Sequence, residues 1–207
     1  MHEKSPQFEA WHSFSYGGIP TEELLKKLEK QPYILNHWAK LLLAGFVMPQ
    51  EKRTISIGRT TLKKLGFTEK PTLEEIHARI YEDGGENIPV EAIAQLRLAI
   101  KSKEKVHIVS EPATAEYSQD PRIDLMKKMS GAFVRDDQGE LRQVQQGEIP
   151  SSFNQDEEKS FTGYFSLDSE LTAENKKHTL GLSALSSGTY RYPLETTVAF
   201  KIKGQSR

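Results

Sequence analysis

The stretch that decides the fold runs from Thr72 to Ile100 and reads TLEEIHARIYEDGGENIPVEAIAQLRLAI. It opens on a capping box. The Thr72 hydroxyl can accept from the backbone N–H of Glu75, while the Glu75 carboxylate reaches back to the N–H of Thr72. Ile76 and Ile80 continue one apolar face, and Gly84-Gly85 ends the helix. A short helical turn is expected from Pro89, because proline suits the first helical position. Leu96, Leu98 and Ile100 then alternate, as do Val106 and Ile108, with Lys101-Ser102-Lys103-Glu104 between them. The alternation predicts a β-hairpin, although the same residues also fit a helix continued through Ile100.

Working towards the N-terminus, Arg53-Thr54-Ile55-Ser56-Ile57 alternates with period two and predicts a strand. Before it, Ile34, Leu35, Trp38, Leu41 and Leu42 fall at helical spacing and predict a helix from Tyr33 to Ala44, with Gly45 as its cap. The apolar run from Trp38 to Met48 is about half a membrane span, so it reads as a buried helix. A first helix is expected to begin at Thr21, after Pro20, with Glu22 and Glu23 in its first turn and Leu24, Leu25 and Leu28 on one face. Pro32 stops it. Residues 1–18 read as an irregular arm in which Phe8, Trp11, Phe14 and Tyr16 stand among polar residues before Gly17-Gly18. Those aromatics either fold back on the core or anchor a partner protein, since aromatic residues dominate interface hot spots.

Towards the C-terminus, Asp120-Pro121 opens a predicted helix to Met129, and Phe133-Val134 with Leu141 to Val144 flank Asp137-Gln138-Gly139 as a hairpin. Residues 145–160 are polar and loop-like, and strands are expected over Phe161 to Leu167, Thr179 to Leu185 and Thr196 to Ile202. The order predicts an α+β fold: a helical N-terminal half with a hairpin, and an antiparallel, strand-rich C-terminal third. Three segments follow: an arm at 1–18, an α/β region at 19–112, and a strand-rich region at 113–207 packed with it as one compact unit.

Composition narrows the chemistry. The chain is 36% hydrophobic and 28% charged with a net charge of −1, so a core is expected and a nucleic-acid footprint is not. Cysteine is absent, which removes disulfides, zinc ribbons, redox CxxC pairs and a cysteine nucleophile. The opening MHEKSPQFEAWHSF is charged, broken by Pro6 and without an apolar signal-like run, so a cytoplasmic location and no membrane insertion are expected. No phosphate-binding loop or G-x-G-x-x-G is present, and Gly181-Leu182-Ser183 lacks the closing glycine of a nucleophile elbow. Ser102-Lys103-Glu104-Lys105 fits S-x-x-K without its companion motifs. The histidines at 2, 12, 37, 77, 107 and 178 are too scattered for metal-ligand spacing. No catalytic residue, cofactor or metal is therefore expected. Arg97 and Glu111 are expected to pair across neighbouring strands, with a ligand-binding Arg97 as the alternative. Residues 51–70 are basic and 136–158 acidic, which reads as solvated surface or as a steering surface for a partner.

Leu65-Gly66-Phe67, the Thr72 to Ala99 segment and Ser110-Glu111-Pro112 together resemble a family of uncharacterised bacterial proteins, over roughly residues 33–144. This chain has Ile88-Pro89 where the family has Cys-Pro, and Ile93-Ala94 where the family has Gly-Pro. The resemblance implies a shared fold and brings no activity with it. Size, near-neutrality and missing enzyme motifs also resemble a virulence-type adaptor of the Dot/Icm type IV secretion coupling complex. The expected function is a non-catalytic protein-binding or adaptor protein, such as a component or chaperone of a bacterial secretion complex. Its protein partner would be held by Phe8, Trp11, Phe14 and Tyr16. The alternatives are an enzyme of unrecognised type and a weak nucleic-acid-binding module. A small-molecule ligand stays open.

Overall fold

The computed structural model describes residues 8–30, 32–101, 103–117, 133–135, 141–143, 159–171, 178–186 and 190–203. The chain divides into two compact units, Met1–Ala113 with Thr162–Arg207, and Thr114–Phe161.

The first unit is organised by its last strand. In chain order its elements are β1 (Glu9–Tyr16), α1 (Thr21–Leu28), β2 (Tyr33–Leu35), α2 (His37–Ala44), β3 (Arg53–Thr61), α3 (Leu73–Glu82) and β4 (Gly85–Glu86). A 3-10 turn (Val90–Ala92), α4 (Ile93–Ala99) and β5 (Val106–Ile108) follow. Next, β6 (Ala113–Tyr117) pairs with β9 (Lys159–Leu171), a strand that begins in the second unit and continues in the first; within the second unit β7 (Phe133–Arg135) with β8 (Leu141–Gln143) forms the expected antiparallel hairpin. The expected helix from Asp120 lies outside the described residues. Then β10 (His178–Ser186) and β11 (Thr197–Ile202) complete a nine-stranded sheet. Its main path is β1-β3-β11-β5-β9-β10-β2, and β4 also joins β11. The pairs β11–β5 and β10–β2 are parallel, whereas β1–β3, β3–β11, β5–β9 and β9–β10 are antiparallel.

The helical N-terminal half is therefore overturned. The sheet is mixed, and four of its strands precede Asn87. The helices among the described residues are four and short, at seven to ten residues each. The C-terminal strands form where expected, but they interleave with N-terminal ones instead of making a sheet of their own.

Each local departure has a physical reason. Residues 9–16 form β1 and not an irregular arm, because His12, Phe14 and Tyr16 alternate with Ser13 and Ser15, the period of a half-buried strand. The helix expected from Tyr33 starts later because Asn36 is its N-cap: the Asn36 side chain accepts from the N–H of Ala39 at 2.7 Å. Released from the helix, Tyr33–Leu35 pairs in parallel with Leu180–Leu182, and the Asn36 N–H extends the ladder to the Leu182 carbonyl at 3.1 Å. The hairpin expected at Leu96–Ile100 is instead α4, since Ile93, Leu96 and Ile100 also fall on one helical face and the 3-10 turn after Pro89 runs straight into it. The capping box is present: Thr72 N–H donates to Glu75 at 2.7 Å and Glu75 N–H to the Thr72 hydroxyl at 3.3 Å.

Val198 and Phe200 of β11 pack with Leu62, Leu65, Ile76, Ile80 and Val109, so α3 is seated on this strand. The Phe200 ring is admitted because two neighbours lack a side chain. A Cβ at Gly58 would stand 2.7 Å from Phe200 Cε2, and one at Gly85 2.8 Å from Cδ2. Elsewhere α1 packs against α2 and α4, and these helices meet the sheet at β10 and β1.

Two outcomes are expected. Gly58→Ala should overpack the Phe200 site and cost about 1–3 kcal/mol, seen as a Tm several degrees lower; an unchanged Tm would mean the ring can shift aside. Deleting residues 1–18 removes β1 from β3 and uncovers the core residues that Phe14 and Tyr16 cover. The truncated chain should lose its cooperative thermal transition in circular dichroism, whereas a native-like melt would show β1 to be dispensable.

Candidate functional site

The strand register assembles a polar row that no local pattern announces. Thr60 of β3 faces Val198, Val198 faces His107 of β5, His107 faces Ser166 of β9, and Ser166 faces Ser183 of β10. Directly opposed residues share a face, so one rung crossing five strands carries four polar side chains. Thr60, His107 and Ser166 are buried.

One end of the row is well satisfied. The Ser166 and Ser183 hydroxyls are 2.9 Å apart, Ser166 Oγ is 3.3 Å from Asp168 Oδ2, and Ser183 donates to the same oxygen. Lys105 Nζ is 3.9 Å from Asp168 Oδ1. Arg97 of α4 is fully buried; it donates to the Ile100 carbonyl and, at 3.4 Å, to that of Gly181. Burial pushes its guanidinium down to about 10, and the Asp168 charge opposes that shift.

The other end is not satisfied. His107 is 5% exposed, and its Nε2 has no hydrogen-bond partner; the same holds for Nε2 of His77 on α3 and for Oδ1 of Asn87. The two imidazoles flank Tyr164, His77 edge-on at 5.8 Å and His107 at 6.5 Å, and His107 also lies 5.0 Å from Tyr192. Asn87 donates to the Glu111 carboxylate. Burial drives His107 down to about 3, helped by His77 and Lys105. Burial also lowers His77, against the pull of Glu111 and Glu74. Tyr164 and Tyr192 are raised, chiefly by burial. At neutral pH the cluster thus holds neutral imidazoles and protonated phenols. Both serine hydroxyls are engaged with Asp168, so neither is aligned on His107 as a nucleophile on its base. Among the described residues no group of three His, Asp or Glu side chains could hold a metal.

The four aromatics singled out in the sequence do not form one exposed patch. Phe14 and Tyr16 are 8% and 4% exposed, and Phe8 meets Phe200 edge-on at 4.3 Å. Trp11 lies under the Arg59 guanidinium at 5.3 Å, and Arg59 bridges to Glu104 at 3.0 Å. Neither Arg97 nor Glu111 is on a strand, so the expected cross-strand pair does not form. Of the basic segment, Arg53 and Arg59 lie on β3 and Lys63-Lys64 in the turn after it, with Arg53, Lys63 and Lys64 exposed; the acidic segment lies outside the described residues except at 141–143.

A second feature is an apolar groove of about 660 Å³ between the start of α1 and the segment after α2. Ile19, Leu25, Phe46, Val47 and Met48 line it, and Val47 is 90% exposed. The sequence does carry a signal for it, since the apolar run continues beyond the α2 cap at Gly45. No helix among the described residues is long and apolar enough to cross a membrane. No protein-family model, curated protein or solved structure matches the chain.

Removing the acceptor shared by both serines should be costly. Asp168→Ala should lose about 2–3 kcal/mol, the scale of a hydrogen bond to a charged group, and Asp168→Asn less, because an amide oxygen still accepts. Urea midpoints should rank wild type, Asn, Ala; equal midpoints would mean the hydroxyls and Arg97 do not depend on this carboxylate.

Proposed function

We propose that the protein is a non-catalytic binding protein, an adaptor that holds a second protein in the groove beside α1. The observation that carries this reading is Val47. A valine left 90% exposed at the rim of an apolar groove contributes nothing to the core, yet it would contribute to an interface. The walls Ile19, Leu25, Phe46 and Met48 suit an apolar side chain presented by a helix or turn of the partner. The docking surface so proposed differs from the N-terminal aromatics, two of which are buried.

The chain's size, near-neutrality and missing enzyme motifs support a narrower form: a component or chaperone of a bacterial secretion complex working in the cytoplasm. The polar rung favours the enzyme reading. That reading ranks second because both serine hydroxyls are directed at Asp168.

Val47→Asp tests the proposal. The exposed position should leave Tm within about a degree, since surface substitutions usually fall within ±0.5 kcal/mol. Affinity capture from the native cell, read by quantitative mass spectrometry, should lose at least tenfold of the partner recovered with the unsubstituted chain. Undiminished recovery would remove the groove from the reading.

A further inference from the structure

We propose that α3 is an acid-released flap: protonation of the two histidines that flank Tyr164 lifts the helix and uncovers the apolar cluster around Phe200. Ile76 and Ile80 seat α3 on Phe200, Val198 and Val109, and the His77 and His107 rings meet Tyr164 beside that seat. Both Nε2 atoms are buried without a partner, so a proton arriving at either one finds no acceptor on the protein.

The surroundings of the two rings differ. Around His107 stand Lys105 of the β5 entry, His77 of α3, Tyr164 of β9 and Tyr192 of the loop before β11, and none of these offsets a positive charge. Around His77 stand Glu74 of its own helix, Glu111 after β5 and Tyr164. Tyr81 and Asn87 lie by Glu111, and Tyr190 packs on Tyr192. Glu74 and Glu111 are both exposed. Acid therefore acts in order. His77 takes the first proton, because two carboxylates favour it, and turning towards them draws the ring out of its seat. The movement admits water to His107, which then takes the second proton and opposes reclosure. The flap is bounded by features suited to a hinge: the capping box keeps the helix formed at its start, and Gly84, at a φ of 87°, follows its end.

The direction follows from linkage. A histidine held below its ordinary value when closed binds more protons when open, so closure is strongest at neutral pH and weakens as pH falls through the ordinary histidine range. For His107 alone, with an ordinary value near 6.5 in the open state, lowering pH from 7.5 to 5.0 should raise the opening constant about 30-fold.

Hydrogen exchange of the full chain at pH 7.5 and 5.0, corrected for the intrinsic pH dependence of exchange, reads this directly. In the wild type, protection over residues 73–82 should fall about 30-fold or more, while β3 and β11 stay protected. In His107→Leu, which removes the buried unpartnered nitrogen, the roughly 30-fold share that His107 supplies should be lost. His77→Gln, at a half-buried helix position, should also shrink the fall and serves if the leucine variant does not fold. An undiminished fall in a folded variant, no fall in the wild type, or a loss of protection spread evenly over the sheet would each overturn the proposal.

Discussion

The fold depends on where β11 goes. A strand within a few residues of the chain's end is inserted between β3 and β5, and it takes hydrogen bonds from both as well as from β4. Its Phe200 enters a site that exists only because Gly58 and Gly85 leave it open. The β3 strand has β1 on one side and β11 on the other, and α3 rests on β11 from above. The contacts of β3, β4, β5 and α3 with β11 all join segments far apart in the chain. Contacts of such sequence separation are paid for in loop-closure entropy before they return anything, so cooperative, slow folding is built into the topology.

The same insertion creates the polar rung. Because β11 sits beside β5 in parallel and β5 beside β9 antiparallel, Val198, His107 and Ser166 fall in register. Each polar residue sits between two apolar ones, Val106-His107-Ile108 and Phe165-Ser166-Leu167, and those neighbours are buried too. A polar atom there must find a partner or bear the cost of desolvation. The serines find Asp168, and that carboxylate in turn opposes the burial of the Arg97 charge. The Nε2 atoms of the histidines find no partner. Tyr164 and Tyr192 fill space around the imidazoles without satisfying those nitrogens, so neutrality is the condition under which this part of the sheet stays closed.

What could be read beforehand follows a physical boundary. Elements fixed by their own few residues were legible: the capping box at Thr72 and Glu75, α1 after Pro20, β3, the β7–β8 hairpin and the late strands. Elements decided by a distant partner were not. Tyr33–Leu35 carries helical spacing, and only pairing with Leu180–Leu182 makes it a strand. Leu96 to Ile100 satisfies two periods at once, and burial of Ile93, Leu96 and Arg97 on a helix settles it. The β1 strand was legible in principle, in the alternation of Phe14 and Tyr16 with serine. Of the site, the scattered histidine numbers concealed that two of them meet at one tyrosine, because sheet register is not written in any one segment.

The four described helices are shorter than the roughly 12–15 residues at which a helix begins to hold itself in water, so each depends on what it packs against. The leucines Leu24 and Leu28 of α1 and Leu42 and Leu43 of α2 are buried, and α4 is tied by Gln95 to Gly17 as well as by Arg97 to Gly181. The helix α3 differs. Its buried residues are Ile76 and Ile80, and between them His77 meets Tyr164 of the sheet. Its capping box and first-turn carboxylates favour the helical form whether or not it is docked. Formation and docking are thus separable in α3, and docking alone is tied to the protonation state of its neighbours.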